Sequence, residues 1–155
     1  MDNINVVRVG FLSPSIKMPD TNGNIDDPID RTGAVLTALV FINPNETGAA
    51  LINSLESGLP KTSSGQEVKI SVITPGRFKS AKAFREKLGF RARLFCDADL
   101  RFGQSFGVID SSCPKPSYHP AVFVIGDEGS VRYRMVIANQ DNELDQFNLA
   151  LSQLI

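Results

Sequence analysis

The chain has 155 residues, which suits one domain around a single core. Hydrophobic residues make up 42% and charged residues 21%, the balance of an ordinary soluble globular protein. With 16 basic and 17 acidic side chains the formal net charge is -1, so no basic excess calls for nucleic acid or an anionic membrane. No apolar run is long enough to cross a bilayer. The start, Met1-Asp2-Asn3-Ile4-Asn5, lacks the positive and apolar regions of a signal peptide, and a cytoplasmic setting is expected. Two cysteines, Cys96 and Cys113, are too few for a disulfide scaffold. One histidine, His119, argues against a zinc site built from one chain; no metal and no cofactor is expected.

Residues 6–32 are short apolar pieces broken by turn residues. Val6, Val7 and Val9 precede Ile16 and Met18, and Pro19-Asp20-Thr21-Asn22-Gly23-Asn24 is a dense turn signal, which predicts a β-hairpin. Residues 34–42 are apolar on both faces except at Thr37, as in a central strand covered on both sides. Residues 45–58 have helical spacing, with Ala50, Leu51, Leu55 and Leu59 recurring and Ile52 adjacent; Gly58-Leu59-Pro60 ends the helix. Residues 61–65 are a polar loop. Residues 68–73 are the next strand, closed by Thr74-Pro75-Gly76.

Residues 78–88 read as a second helix, with Ala81, Phe84 and Leu88 on one face and Gly89 as a stop. Residues 91–95 read as a short strand and residues 97–106 as a short helix. After a Pro- and Ser-rich loop, residues 121–125 and 131–137 flank Gly126-Asp127-Glu128-Gly129, which predicts a hairpin. Residues 142–154 make a final amphipathic helix, with Leu144, Phe147, Leu151 and Leu154 inward. Alternating β and α elements followed by a hairpin and a helix predict an α/β fold. The expected form is a thioredoxin-like α/β sandwich with an N-terminal β-hairpin and a central mixed sheet, one domain over residues 1–155.

Two stretches carry a family likeness. Leu94-Phe95-Cys96-Asp97-Ala98-Asp99-Leu100-Arg101-Phe102-Gly103-Gln104-Ser105-Phe106-Gly107-Val108 is similar to a strand, Ser-Asp, Phe-Gly, Tyr-Gly-Val pattern found in peroxiredoxins. Ala121-Val122-Phe123-Val124-Ile125-Gly126-Asp127-Glu128-Gly129-Ser130-Val131 is similar to the hairpin that follows it there. The chain resembles the thiol peroxidase branch of the peroxiredoxin superfamily over nearly its whole length. The resemblance implies a peroxiredoxin-type fold, a homodimer, peroxide-reducing antioxidant ancestry and, for an active thiol, a thioredoxin-type reductant.

That family's chemistry uses a cysteine at the first turn of a helix, where backbone N–H groups and the helix dipole favour the thiolate. A threonine stands three residues earlier, a proline precedes it, and an arginine lies just ahead of the hairpin. The matching positions here are Pro44, Thr47, Ala50 and Pro120. Two residues, rather than three, separate Pro44 from Thr47. Counted from Thr47 the cysteine position is Ala50; counted from Pro44 it is Leu51. Neither carries a thiol, and Pro120 stands at the arginine position. The resolving cysteine of the thiol peroxidases falls at Ala83-Phe84-Arg85. The expectation is a peroxiredoxin-like protein without the usual peroxidase activity, serving as a binding or scaffold module on the old active-site face.

The alternative is an active thiol peroxidase or disulfide oxidoreductase with Cys113 or Cys96 as the catalytic residue. Cys113 lies in Asp110-Ser111-Ser112-Cys113-Pro114-Lys115-Pro116, where Lys115 favours a thiolate; the plain reading is a loop cysteine without a role. Cys96 ends a strand and reads as a packing residue. A Cys96–Cys113 disulfide would need their Cα atoms within about 7 Å. His119 reads as a general base or as a loop residue. Arg77, Arg85 and Arg101 read as stand-ins for the missing arginine or as surface charge. Asp97 and Asp99 fit helix capping. Pro44 and Thr47 also fit plain helix punctuation, with Asn45 or Thr47 as N-cap. Pro120 is either a cis-proline facing the helix start or an ordinary trans-proline.

Overall fold

The computed structural model describes residues 9–30, 36–58, 67–89, 91–112, 114–126 and 129–137. The expected apolar piece at 6–8, the loop at 61–65, Cys113 and the helix at 142–154 lie outside the described residues. In chain order the elements are β1 (Met18–Pro19), β2 (Ile25–Asp26), β3 (Leu36–Phe41), α1 (Glu46–Gly58) and β4 (Val68–Pro75). They continue with α2 (Phe78–Leu88), β5 (Arg93–Asp97), α3 (Arg101–Phe106), β6 (Ala121–Ile125) and β7 (Val131–Val136).

Five strands form one sheet in the order β5-β4-β3-β6-β7. The pairs β3–β4 and β4–β5 are parallel, and β3–β6 and β6–β7 are antiparallel, so the sheet is mixed. All six side chains of β3 are buried, as its two-faced apolar pattern predicts. Alternation divides them between two cores. Leu36, Ala38 and Val40, with Ile42 just beyond the strand, pack with Leu51, Ile52 and Leu55 of α1 and Ala81 of α2. Leu39 and Phe41 pack on the other face with Phe102 and Phe106 of α3, Tyr118 and Phe123. There the Phe41 ring meets Phe102, Phe106, Tyr118 and Phe123 at centroid distances of 5.3–5.8 Å.

Several boundaries differ from the sequence reading for identifiable reasons. The strand expected at 91–95 starts two residues later, because Glu56 Oε2 takes the Arg91 and Ala92 amides (3.0 and 2.7 Å) and withholds them from the ladder. The helix expected from Asp97 starts at Arg101. Asp97 ends β5 opposite Pro75, and Leu100 bends the chain with φ 62. On α1, Ala50, one of the residues that recur near helical spacing, is exposed. Gly48, Leu51, Ile52 and Leu55 form the buried i, i+3, i+4, i+7 stripe, and Ala50 lies off it. α2 has the expected bounds and ends on Gly89, whose left-handed φ of 68 lets its N–H reach Arg85 O at 2.7 Å.

The N-terminal hairpin is β1–β2, folded over the sheet edge. Asp20 Oδ1 accepts from the Asn22 and Asn24 amides (2.9 and 3.0 Å), and Thr21 N–H donates to Leu94 O on β5 (2.9 Å). The hairpin thereby covers an edge strand that would otherwise present free ladder groups. Arg93 holds it there, donating to Asp20 Oδ2 at 2.7 and 3.1 Å and to Asp26 Oδ2 at 3.1 Å.

Burial alone would raise the Asp20 carboxyl, but the Arg93 guanidinium and the turn amides outweigh it and hold it below its ordinary value. Hydrogen bonds from Arg93 do the same for Asp26. A carboxylate depressed in the folded state stabilises above its unfolded pKa, near 4, and loses that contribution as pH falls through the lower folded value. Unfolding free energy is therefore expected to drop steeply below about pH 4. Asp20→Asn should lose about 2 kcal/mol at pH 7 and show a flatter acid limb in urea titrations. Parallel acid limbs for the two proteins would reject the Arg93 clamp as their cause.

Candidate functional site

The loop between β3 and α1 leaves the sheet where β3 separates parallel β4 from antiparallel β6. Phe41 pairs with Ile73 on one side and Ala121 on the other, which brings Pro120 next to the loop. Such carboxyl ends of strands are where α/β sheets place ligands. Asn45 is the N-cap: its Oδ1 accepts from Gly48 N–H at 2.9 Å. Its carbonyl accepts from Ala49 N–H at 2.9 Å. Pro44, Thr47 and Ala50 are all exposed, whereas Leu51, the cysteine position counted from Pro44, is buried in the core.

Asn43, which the sequence reading passed over, ties this loop to the segment before β6. Its Oδ1 accepts from Tyr118 N–H (2.8 Å) and its Nδ2 donates to Tyr118 O (2.9 Å). Tyr118 then reaches across the core, donating its OH to Asp97 Oδ2 at 2.7 Å. Burial, followed by the Asp97 charge, pushes the Tyr118 phenol well above its ordinary pKa, so it stays a neutral donor. Asp97 also accepts from the Phe102 and Gly103 amides (3.1 and 2.7 Å), and Asp99 Oδ1 accepts from Arg101 N–H (3.1 Å). Capping by Asp97 and Asp99 is thus as expected. An Asn ahead of a Pro and an Asp six residues before a Gly were the only sequence signals for this network.

The other candidates are dispersed. Pro120 adjoins the site, but its peptide bond is trans, which corrects the cis alternative. His119 N–H donates to Val108 O and Pro120 O accepts from Ile137 N–H, both at 2.7 Å, so the chain runs straight from one pairing into the next. The His119 ring is exposed, with Nε2 3.9 Å from Asp110 Oδ1. Arg77 and Arg101 are exposed; Arg85 donates to Ala92 O and Arg91 O, beside the C-terminal turns of α1 rather than its first. Cys96 is buried between β5 and the helical layer. Burial, helped by the Asp20 charge, pushes its thiol up to about 11. Cys113 lies outside the described residues. Among the described residues, no three His, Cys, Asp or Glu side chains gather as a metal site. No helix among them is long and apolar enough to cross a membrane.

A groove of about 560 Å³ runs between the start of α1 and α2. Pro44 and Ala49 line one wall and Ala83, Phe84 and Leu88 the other, with Lys87 on its polar edge. It joins the turn that holds Ala50 to the Ala83-Phe84 segment, the two places from which the resemblance expects thiols. The arrangement offers an apolar cleft and a capped helix start, with no thiol on α1.

No protein-family model matches the chain, and no curated protein matches it. Solved structures do. The thiol peroxidase from Chromobacterium violaceum aligns with a TM-score of 0.71 at 20% identity, over 93% of this chain and 87% of that one. Peroxiredoxin Q of Xanthomonas campestris aligns with a TM-score of 0.70 at 18% identity, over 94% and 95%. The peroxidoxin BcpB of Mycobacterium tuberculosis aligns with a TM-score of 0.70 at 16% identity, over 94% and 96%. The fold is therefore the thioredoxin-like α/β sandwich. It is the fold that these peroxiredoxin Q and thiol peroxidase structures share.

Proposed function

We propose that this chain is a peroxiredoxin-fold protein that does not reduce peroxide at the start of α1 and uses that face as a binding or scaffold module. The observation that carries the reading is the exposed Ala50 just past the capped first turn of α1, the position that the resemblance gives to a peroxidatic thiol. Alanine has no lone pair to attack an O–O bond, so the helix dipole has no thiolate to stabilise. Cys96 does not replace it. With a pKa of about 11 its thiolate fraction at pH 7 is on the order of one in ten thousand, and its side chain is buried. The homodimer and a thioredoxin-type reductant for any active thiol belong to this proposal through the resemblance, and the cytoplasmic setting through the polar residues 1–5.

Intact-mass spectrometry after one equivalent of hydrogen peroxide tests the reading, on wild type and on the Cys113→Ser and Cys96→Ser variants. The expected result is no rapid gain of oxygen and no loss of two hydrogens in any of them. Fast oxidation abolished by Cys113→Ser or Cys96→Ser would overturn it in favour of a relocated catalytic thiol.

A further inference from the structure

We propose that Asn22 is a site of spontaneous modification, in which the Gly23 backbone nitrogen displaces the Asn22 side-chain amide and the hairpin β1–β2 loses part of its hold on β5. Asn22-Gly23 is the one Asn-Gly pair in the chain. Each other asparagine precedes a residue with a Cβ, which crowds the nitrogen that must attack. Asn22 and Gly23 are both exposed. Gly23 has φ 88, and a Cβ built on it would meet nothing within 4 Å, so the turn is open on that side. Among the described residues the Asn22 side chain has no hydrogen-bond partner; its backbone N–H is held by Asp20 Oδ1 at 2.9 Å.

Water is the only co-reactant. Gly23 N–H gives its proton to hydroxide, and the nitrogen attacks Asn22 Cγ. The N–Cγ bond forms as the Cγ–Nδ2 bond breaks, and Nδ2 leaves as ammonia with a proton from water. Water then opens the cyclic imide at Cγ to give aspartate, or at the main-chain carbonyl to give isoaspartate. One water enters and one ammonia leaves; nothing is oxidised or reduced.

The closed turn holds this step back. Gly23 N–H donates to Asp20 O at 3.1 Å, and Asp20 Oδ1 holds the Asn22 and Asn24 amides, so attack waits for the turn to open. Afterwards the turn cannot close as before. The imide has no N–H for Asp20 O, and isoaspartate adds a main-chain atom inside the loop that Asp20 N–H closes on Asn24 O at 2.8 Å. Either product sets a third carboxylate near Asp20 and Asp26, the two that Arg93 holds. The same turn donates Thr21 N–H to Leu94 O on β5, so each modified chain carries a looser hairpin.

The test is peptide mapping by mass spectrometry of the full chain held at mildly alkaline pH, beside a free peptide of residues 17–27. Asn22 is expected to be the first asparagine to lose its amide, more slowly than in the free peptide by about ten- to a hundredfold. Arg93→Ala, which frees the hairpin and leaves the Asn-Gly pair intact, should speed the loss about tenfold. Hydrogen exchange of the Thr21 amide should be about tenfold faster in fully converted chain than in fresh chain. Chain of the Asn22→Gln variant, aged in the same way, should keep its original exchange rate. A lag beyond about a hundredfold, a rate equal to that of the free peptide, an unchanged rate in Arg93→Ala, or unchanged Thr21 exchange after conversion would each overturn the proposal.

Discussion

Asp97→Ala is expected to lower the unfolding free energy by about 4 kcal/mol, the largest loss from any single side chain in the site's support. Asp97 is buried and accepts from three donors, the Phe102 and Gly103 amides and the Tyr118 hydroxyl. Truncation leaves all three without an acceptor in a core of aromatic rings, where each stranded donor costs about 1–3 kcal/mol. Gly103 leaves little room for repair: a Cβ there would stand 2.5 Å from the Tyr118 ring, so the helix turn and the ring are already as close as they can be. Tyr118→Phe should cost about 2 kcal/mol, and the double variant should cost less than the two losses added. Urea denaturation checks this. A loss under about 1 kcal/mol for Asp97→Ala would mean that water enters and satisfies the donors, and the network would not be the brace described here.

Gly48→Ala should cost about 3 kcal/mol, although it adds one methyl group to a helix. A Cβ at Gly48 would stand 2.3 Å from Asn43 O and 3.2 Å from the Ile42 side chain. The oxygen is backbone and cannot rotate away, so α1 must lift from the 42–43 loop. That movement strains the Asn45 cap and the Asn43 clasp on Tyr118. Two positions along, Ala50→Ser faces solvent and should stay within about 0.5 kcal/mol of wild type. Thermal denaturation of both variants separates the cases. Equal melting temperatures would show that α1 is not seated as tightly as its first turn indicates.

The parts of the fold that were legible in the sequence are those whose cause is local. β3 was readable because both its faces are apolar, and α2 because Gly89 punctuates it. The β6–β7 strands were readable from the glycines between them. What escaped the reading depends on partners far along the chain. β5 starts late because of Glu56, 35 residues before Arg91. The Asn43–Tyr118 clasp spans 75 residues, and nothing in either neighbourhood announces the other. The exposure of Ala50 was not legible because apolar residues fill five of the seven positions from 49 to 55, so the stripe could be drawn in more than one way. At the candidate site the resemblance located the helix start, but only coordinates reveal the groove beside α2, whose walls come from two separated segments.

The burial of Cys96 makes the protein carry its own opening meter. A water-soluble alkylating reagent needs the thiolate and needs contact, and the folded chain denies it both. Modification of the peptide that contains Cys96 therefore proceeds only while β5 and its hairpin are parted from the helical layer. When reclosing is faster than alkylation, the observed rate is the free-thiol rate multiplied by the open population. Each 1.4 kcal/mol of local stability then slows it about tenfold. At fixed pH, urea or a destabilising substitution would each register on that one residue.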